Sequence, residues 1–505
     1  MARITIPYAV ADFVEMRERN FYYVDKTDFI PGLEDYKAPV FLRPRRFGKS
    51  LFISTLTCYY DRTKADRFEE LFGGTWIGEH PTEEHNRYMI VRYDFSKMVM
   101  ADDMEGLERN FNDLNRSPVE IMVTHNRDLF KDFQFSSKKE ASKMLEEALG
   151  YAREHGLPKV YVLIDEYDNF TNQLLTAYKD PLYEQVTTKD SFLRTFFKVI
   201  KAGIGEGSIR TCFCTGVLPV TMDDLTSGYN IAEILTLHPR FLDMLGFTYE
   251  EASAYLRYVL DKYGTGQDSF EELWQLIVNN YDGYRFRPGA EPLFNSTILT
   301  YFFKNFATMD GMIPSELVDE NLRTDIGWIR RLTLSQENSK EMLDALVIDD
   351  ELSYNVSDLS SKFNKRKFFD KNFYPVSLFY LGMTTLRNNY RMVLPNLTMR
   401  SIYMDYYNEM NHIEGNRPTL CAYLRAFHGR ASFRAAGTKL LRAIPRAVPG
   451  AGVRQDQREF HPLLLLRALF PLPEQLLYVR HRAEQFGGPF GFRDDRYPRY
   501  GLLQG

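Results

Sequence analysis

The stretch RPRRFGKSLFIS, from Arg43 to Ser54, decides how this sequence is interpreted. It follows a short apolar segment at residues 39–42 and continues as SLFISTLTCYY, in which Leu51, Leu56 and Tyr59 have near-helical spacing. Strand, loop and helix in this order are the setting of a phosphate-binding loop of the pattern GxxxxGK[ST]. Arg43 stands where that pattern opens with glycine. The stretch is therefore either a nucleotide site or a basic helix start that happens to contain Gly-Lys-Ser.

A second pattern lies downstream, where the apolar run beginning at Val160 and Tyr161 ends in Asp165 and Glu166. An aspartate at the carboxyl end of a central strand orders the water shell of Mg²⁺, and a following glutamate polarises the attacking water. Many buried strands end in aspartate for no catalytic reason, so this pattern does not decide the question by itself. Both patterns in the right order on α/β elements favour a working nucleotide site in which Arg43 is tolerated, because that position needs only an ordinary φ.

The loop pattern assigns a role to each of its residues. Gly48 lets the backbone approach phosphate, Lys49 neutralises the β- and γ-phosphate oxygens, and the Ser50 hydroxyl ligates Mg²⁺ with Asp165. The predicted catalytic residues are Glu166, Lys49 and Thr215. The predicted nucleotide contacts are Arg45, Arg46, Phe47, Gly48, Lys49, Ser50 and Leu51.

Some of these residues have a plainer interpretation. Thr215 lies near the end of the strand-like run IRTCFCTG. In a nucleotide site it would sense the γ-phosphate or hold the lytic water. The plainer interpretation is a threonine that caps the end of a strand. Arg45 and Arg46 are candidates to bind phosphates or a partner surface. The plainer interpretation is that both are solvated loop arginines. Arg210 and Arg240 are candidates for an arginine finger, although surface arginines are common.

Alternating strands and helices to about residue 245 predict an α/β fold, a P-loop NTPase parallel sheet with helices on both faces. Strand candidates include YMIVRYDFS, ending at Asp94, and helices are expected at 138–154 and near 191–203. Residues 246–410 are predicted to be a mainly helical lid or winged-helix-like domain, with Thr248 and Glu251 as a capping box and a strand near 390–394. An atypical tail, 411–505, follows.

Composition excludes several classes of protein. The 505 residues suggest two or three domains, and a net charge of -5 gives no overall attraction to nucleic acid. None of the four cysteines forms a CxxC pair, which argues against a zinc site or a disulfide framework, and Cys212 and Cys214 are expected on one side of a buried strand. Without a signal-peptide pattern or an apolar run of about 18 residues, we expect a cytoplasmic protein with no membrane partner.

The motifs FYYVDKTDFI, FLRPRRFGKSLF, YVLIDEYD and CTGVLPVTMDDLTSGYNIAEI resemble the AAA-ATPase-like family, as do GFTYEEA, YDGYRF, LFNSTIL and SLFYLGMTTLR further on. These are bacterial P-loop ATPases that are commonly fused to a PD-(D/E)XK nuclease-like domain. The resemblance covers about residues 5–410, and an arginine at the first loop position is usual in the family. It implies ATP as ligand, Mg²⁺ as cofactor and slow hydrolysis. Tyr23, Asp25 and Lys26 match its YVDKT motif, which is expected near the adenine or the loop.

The tail departs from the family. From residue 424 it is rich in arginine with a single lysine, Lys439, and it is interpreted as a linker, a degenerate domain or a frame-shifted segment. Asp494 in GFRDD, with Glu459 and Glu484, is the nearest match to nuclease acids, but no Glu-x-Lys follows it, and a solvated turn explains it better. We therefore interpret 411–505 as a truncated or degenerate nuclease-like remnant and predict no nuclease activity.

Two functions stay open from the sequence. The first is a Mg²⁺-dependent ATPase whose hydrolysis drives a conformational switch in a nucleic-acid-related process, the nucleic acid being implied by the family alone. The alternative is a nucleotide-dependent signalling or assembly module with little turnover, in which the 14% aromatic content serves a homo-oligomer interface.

Overall fold

The computed structural model describes residues 5–410, except residues 138, 189, 226–227, 266–268, 315–316, 318–325, 335–344 and 347–350. Within this part, the chain up to Ile402 belongs to one compact unit. The predicted boundary between residues 245 and 246 stays a prediction. The proposed nuclease remnant, including Glu459, Glu484 and Asp494, lies outside the described residues.

A five-stranded parallel sheet forms the centre of the fold, in the order β2-β3-β4-β1-β5. Its strands are β1 (Pro39–Leu42), β2 (Met89–Asp94), β3 (Val160–Asp165), β4 (Ile209–Gly216) and β5 (Glu233–Ile234). Every residue of β1 and β3 is buried, as expected for apolar strands covered on both faces. This confirms the predicted α/β fold.

Helices alternate with these strands. They are α1 (Phe13–Glu18), α2 (Ile30–Leu33), α3 (Lys49–Tyr60), α4 (Phe68–Phe72), α5 (Trp76–Glu79), α6 (Met104–His125), α7 (Ala141–Glu154), α8 (Asn169–Thr176), α9 (Asp180–Thr187), α10 (Phe192–Glu206) and α11 (Val220–Leu225). Short 3₁₀-helices cover Thr27–Phe29, Arg62–Arg67, Phe95–Lys97 and Pro239–Phe241.

Side-chain alternation assigns the helices to the two faces of the sheet, since successive strand residues point to opposite faces. On one face, Tyr60 of α3 stacks on Tyr161 with ring centroids 4.3 Å apart. On the other face, Phe196 of α10 meets Tyr93 edge-on at 4.9 Å. Asp165 shares its face with Tyr161, so it points toward α3, the helix that follows the predicted phosphate-binding loop.

The buried cysteines of β4 behave as the alternation predicts. The Sγ atoms of Cys212 and Cys214 lie 3.7 Å apart, on the face opposite α3. Both thiols are inaccessible to solvent. The prediction that they share one side of a buried strand is confirmed.

Two helices differ from the sequence analysis. The helix expected at 138–154 begins at Ala141, because Glu140 is extended and the Ala141 N–H donates to Asn112 Oδ1 of α6 at 2.9 Å. The 22-residue helix α6 was not predicted. It contains Pro118, a residue that normally interrupts a helix because it lacks an N–H donor.

Beyond residue 245 the described chain is mainly helical, with a small antiparallel sheet. The helices are α12 (Tyr249–Tyr263), α13 (Phe270–Tyr281), α14 (Ser296–Thr308), α15 (Ile326–Leu334), α16 (Ser357–Ser360), α17 (Lys365–Phe368), α18 (Tyr374–Tyr380) and α19 (Leu397–Met410), with a 3₁₀-helix at Lys371–Phe373. The strands β6 (Leu352–Ser353), β7 (Thr385–Leu386) and β8 (Arg391–Val393) pair in the order β6-β8-β7. The capping box of Thr248 and Glu251 is present. Among the described residues, no helix combines the length and the apolar character needed to cross a membrane.

The motif YDGYRF joins this small sheet to the rest of the unit. The Asp282 carbonyl accepts a hydrogen bond from Asn396 Nδ2 at 2.8 Å, and the Arg285 N–H donates to Thr385 Oγ1 at 2.6 Å. Gly283 has φ 106°, and a Cβ there would collide with the Pro395 carbonyl, so only glycine fits.

The side chain of Asp282 is buried, and its Oδ1 atom has no hydrogen-bond partner in the described part of the chain. Burial raises the pKa of the Asp282 carboxyl to about 6, against a weaker opposing effect of the hydrogen bond from the Gly283 N–H. The native state therefore favours the protonated acid. Its contribution to stability is present near the unfolded-state pKa of about 4 and is lost as the pH rises toward the folded-state pKa.

We expect Asp282→Asn to stabilise the protein above pH 6, by roughly 1–3 kcal/mol, because the amide is neutral at every pH. The melting temperatures of the variant and the original protein should differ most at pH 8 and converge toward pH 4.5. Asp261→Asn is the control, since Asp261 is an exposed acid. A difference that does not change with pH would contradict the assignment.

Candidate nucleotide-binding site

The loop between β1 and α3 has two residues with left-handed backbone. Arg46 has φ 71° and Gly48 has φ 87°. Turns containing such residues bring successive N–H groups to one side, which makes an anion-binding concavity. The first N–H groups of a helix have no intrahelical partner, and no side chain caps the start of α3 at Gly48. The loop thus has the backbone geometry of a phosphate site.

Lys49 is buried at the base of this loop. Its Nζ donates to the carbonyls of Arg43 and Pro44, both at 3.0 Å. Burial lowers the pKa of the Lys49 ammonium, and the carboxylates of Glu166 and Asp165 oppose this effect. Lys49 and the acids at the end of β3 are therefore electrostatic neighbours.

Asp165 and Thr215 lie side by side at the carboxyl edge of the sheet, on strands β3 and β4. Thr215 Oγ1 donates to Asp165 Oδ1 at 2.7 Å, and both residues are buried. The hydrogen bond orients the carboxylate while leaving its other oxygen for a different partner.

Glu166 has φ 50°, an unusual value for a residue with a β-carbon. Its Oε2 accepts a hydrogen bond from Asn169 Nδ2 at 2.9 Å. Burial raises the pKa of the Glu166 carboxyl, while the nearby Lys49 ammonium lowers it. A carboxylate with a raised pKa is a stronger proton acceptor than an exposed glutamate.

The next two residues, to which the sequence analysis assigned no role, organise the turn after β4. Asp168 is buried and accepts from the N–H groups of Val217 and Leu218, the latter at 2.7 Å. Tyr167 Oη donates to the Leu218 carbonyl at 2.5 Å. These partners are about 50 residues away in sequence, so no local pattern reveals them. Together they hold Thr215 beside Asp165.

Arg43 is buried and has a structural role. Its guanidinium donates to the carbonyls of Leu42, Thr236 and Leu242 at 2.9–3.1 Å. Its Cζ lies 3.6 Å from the ring centroid of Phe286 in the YDGYRF motif. Burial lowers the pKa of Arg43 to about 9, which still keeps it charged at neutral pH. Arg43 is not among the described residues with positive φ, as predicted.

The N-terminal motif lies next to the loop. Lys26 Nζ forms an ion pair with Glu251 of the capping box at 2.6 Å and donates to the Asp243 carbonyl at 2.8 Å. Asp25 accepts from the N–H groups of Thr27 and Trp76, so it holds α5 in place. Tyr23 and Lys26 line a cavity of about 120 Å³.

The cavity opens beside Gly48. Its lining combines aromatic rings with hydroxyl groups and comes from three parts of the chain. These parts are the N-terminal segment (Tyr22, Tyr23, Lys26), the start of α3 (Gly48, Leu51, Phe52, Thr55) and residues after 243 (Phe247, Tyr255, Ser296, Thr297, Thr300).

The other residues that were predicted to contact the nucleotide differ in how deeply they are buried. Arg45, Arg46, Ser50 and Leu51 are half-buried, and Leu51 lines the cavity. The Phe47 side chain is buried against Tyr284, with ring centroids 5.1 Å apart, and Phe47 also lines the cavity.

Each of the two arginine-finger candidates forms an ion pair with an acidic side chain. Arg210 is near the start of β4, five residues before Thr215, or about 16 Å along an extended strand. It pairs with Glu84, and Arg240 pairs with Asp35 at 3.0 Å. An arginine-finger role for either stays a prediction.

The donor set fits Mg²⁺ bound together with a phosphate ligand. No group of three or more His, Cys, Asp or Glu side chains that could hold a metal occurs in the described part of the chain. Mg²⁺ is usually held by one or two carboxylates plus substrate phosphates. Asp165 and the Ser50 hydroxyl are the residues that would hold it.

Comparison with known proteins agrees with this geometry. Residues 7–226 match the family model described as Predicted AAA-ATPase. A stretch of 264 residues is 27% identical to a protein of Azotobacter chroococcum mcd 1 named "Uncharacterized protein in vnfD 5'region". That match covers 50% of this chain and 45% of the relative, so the chain spans about half the relative's length. No solved structure matches the chain.

The matched segment contains the loop, Lys49, Asp165, Glu166 and Thr215. Over residues 7–226, the chain is similar to the AAA-ATPase-like family.

Proposed function

We propose that the chain binds ATP with Mg²⁺ at the loop of residues 43–50 and hydrolyses it slowly. The observation that carries this proposal is the meeting of three groups at the carboxyl edge of the sheet. They are the buried Lys49 ammonium, the Asp165 carboxylate held by Thr215, and Glu166. The family match supports nucleotide binding.

The proposed ligand extends from the loop into the cavity beside Gly48. The backbone N–H groups of the loop and the start of α3 face the phosphates, where a helix N-terminus also favours negative charge. The base occupies the cavity, whose aromatic rings suit a flat heterocycle and whose hydroxyls, such as Thr55 and Thr300, supply hydrogen bonds.

In the proposed reaction, Lys49 binds an oxygen of the transferred phosphoryl group and Glu166 acts on the water that attacks it. An ammonium has three donors, so its two bonds to loop carbonyls leave a third for a phosphate oxygen. The oxygen of a water molecule attacks the γ-phosphorus while Glu166 accepts its proton, and the bond to the β–γ bridging oxygen breaks, which releases ADP and phosphate. Bound Mg²⁺ would supply charge neutralisation at the phosphates, with Asp165 and Ser50 as its protein ligands.

The proposed output is a change in the helices beyond residue 245, brought about by contacts of Lys49 with the γ-phosphate that are released on hydrolysis, while Thr215 keeps Asp165 in place. That this output serves a nucleic-acid-related process is inferred from the family resemblance alone.

We expect Lys49→Ala to weaken ATP binding about 10- to 100-fold, because a charge-assisted contact to phosphate is lost. Glu166→Gln should keep ATP affinity but lower turnover about 10²- to 10⁴-fold, the usual contribution of a general base. Calorimetric titration and phosphate release measure the two effects. Lys159→Ala, an exposed lysine just before β3 at the opposite edge of the sheet, is the charge-matched control. Unchanged binding in Lys49→Ala and unchanged turnover in Glu166→Gln would refute this site.

The raised pKa of Glu166 predicts an acid limb in the turnover profile. Only the carboxylate accepts a proton, so turnover at saturating ATP should fall as the pH drops through a value above the 4.5 of an ordinary glutamate. The residual turnover of Glu166→Gln, measured from pH 5 to 8, should lack this limb. An identical limb in both proteins would assign it to another group.

The assembly alternative predicts a different result. A module that works by association should change its size on binding ATP while releasing little phosphate. Light scattering with and without ATP, recorded beside phosphate release, separates the two functions. Turnover by a species of constant size favours the ATPase.

A further inference from the structure

The outer side of the loop is held by residues that lie much later in the chain. Asn295 Nδ2 donates to the Arg45 carbonyl at 3.1 Å, across 250 positions of sequence. The Arg46 carbonyl accepts from the Thr297 N–H at 3.1 Å, and the Phe47 carbonyl accepts from the Gly246 N–H at 3.2 Å. Three successive loop carbonyls are therefore fixed from one side.

This arrangement sets the direction of the loop N–H groups. In a planar trans peptide, the C=O of one residue and the N–H of the next point in opposite directions. Holding the carbonyls of residues 45–47 outward turns the N–H groups of residues 46–48 toward the other side of the loop. The phosphates are proposed to bind on that side.

Asn295 has two distinct tasks in this contact. Its Oδ1 accepts from the Ile298 N–H at 3.3 Å and so caps α14, while its Nδ2 holds the Arg45 carbonyl. The side chain is buried, with 2% of its surface exposed. One amide thus connects the start of a 13-residue helix to the loop.

We propose that Asn295 is a positioning residue of the phosphate loop and that it couples nucleotide binding to helix α14. The inference rests on the proposed function and adds a route by which the nucleotide reaches the helices beyond residue 245. Because coupling between two sites is reciprocal, phosphate binding that steadies the loop must also steady the start of α14.

Asn295→Ser tests this directly, because serine also caps helices but lacks the amide that reaches the loop. We expect its ATP affinity to fall about five- to tenfold, the effect of one lost hydrogen bond. Adenosine, which contacts the cavity and carries no phosphate, should bind as before. ATP should protect the amides at residues 298–300 from hydrogen exchange in the original chain, and protect them less in the variant.

Two further variants complete the design. Ser269→Ala removes the side-chain cap of α13, which bonds the Glu272 N–H, without touching the loop, and should leave ATP binding unchanged. Asn295→Asp is nearly isosteric and keeps the cap, so it replaces the serine variant if that one does not fold. Its ATP affinity should fall at least as far, since its carboxylate also repels the phosphates, and its adenosine affinity should not change.

The outcomes distinguish this inference from the proposed function. If the original chain binds no ATP, both fail. If it binds ATP, but Asn295→Ser binds ATP equally well or loses ATP and adenosine in equal proportion, Asn295 does not position the loop, and the proposed function still stands.

Discussion

The buried guanidinium of Arg43 is the constraint on which the site depends. It connects the end of β1 to the segment after β5 through the Thr236 and Leu242 carbonyls, and it rests on the ring of Phe286. A buried cation is costly unless it is hydrogen-bonded, and here three carbonyl oxygens accept hydrogen bonds from the two terminal nitrogens of the guanidinium. The residue that interrupts the usual glycine pattern is thus the one that secures the loop to the fold.

Acidic side chains surround the positive charge of Lys49 next to the loop. Lys49 lies among Asp165, Glu166 and Asp168, each of which offsets part of the cost of burying its ammonium. Asp168 also accepts hydrogen bonds from the backbone N–H groups of Val217 and Leu218 and from the Asn172 amide. Thr215 leaves one Asp165 oxygen uncommitted. This arrangement supports the proposed binding of ATP together with Mg²⁺.

Local patterns in the sequence predicted four of the five strands of the sheet, β1 to β4, and the loop that follows β1, whereas β5 was not predicted. They worked because apolar runs, a Gly-Lys-Ser triplet and the capping box of Thr248 are contiguous signals. The strand order was not predictable, since β4 lies between β3 and β1 although it follows both in the chain. The helix α6 was concealed by Pro118, which the surrounding turns tolerate.

The parts of the site that the sequence concealed are contacts between distant residues. Lys26 meets Glu251 across 225 positions, and the partners of Asp168 lie about 50 positions away. The motif YDGYRF is explained only by its contacts, since Phe286 supports Arg43 and Tyr284 supports Phe47. Spacing along the chain contains no information on such pairs.

The paired thiols of β4 have a practical consequence. Cys212 and Cys214 are sealed between the sheet and its covering helices, and burial raises the pKa of the Cys214 thiol well above its usual value. Alkylating reagents attack the thiolate, so both sulfurs stay silent until the strand separates from its neighbours. The rate at which these two thiols are alkylated therefore reports how fast the interior of the sheet opens, and mass spectrometry can follow it without an engineered label.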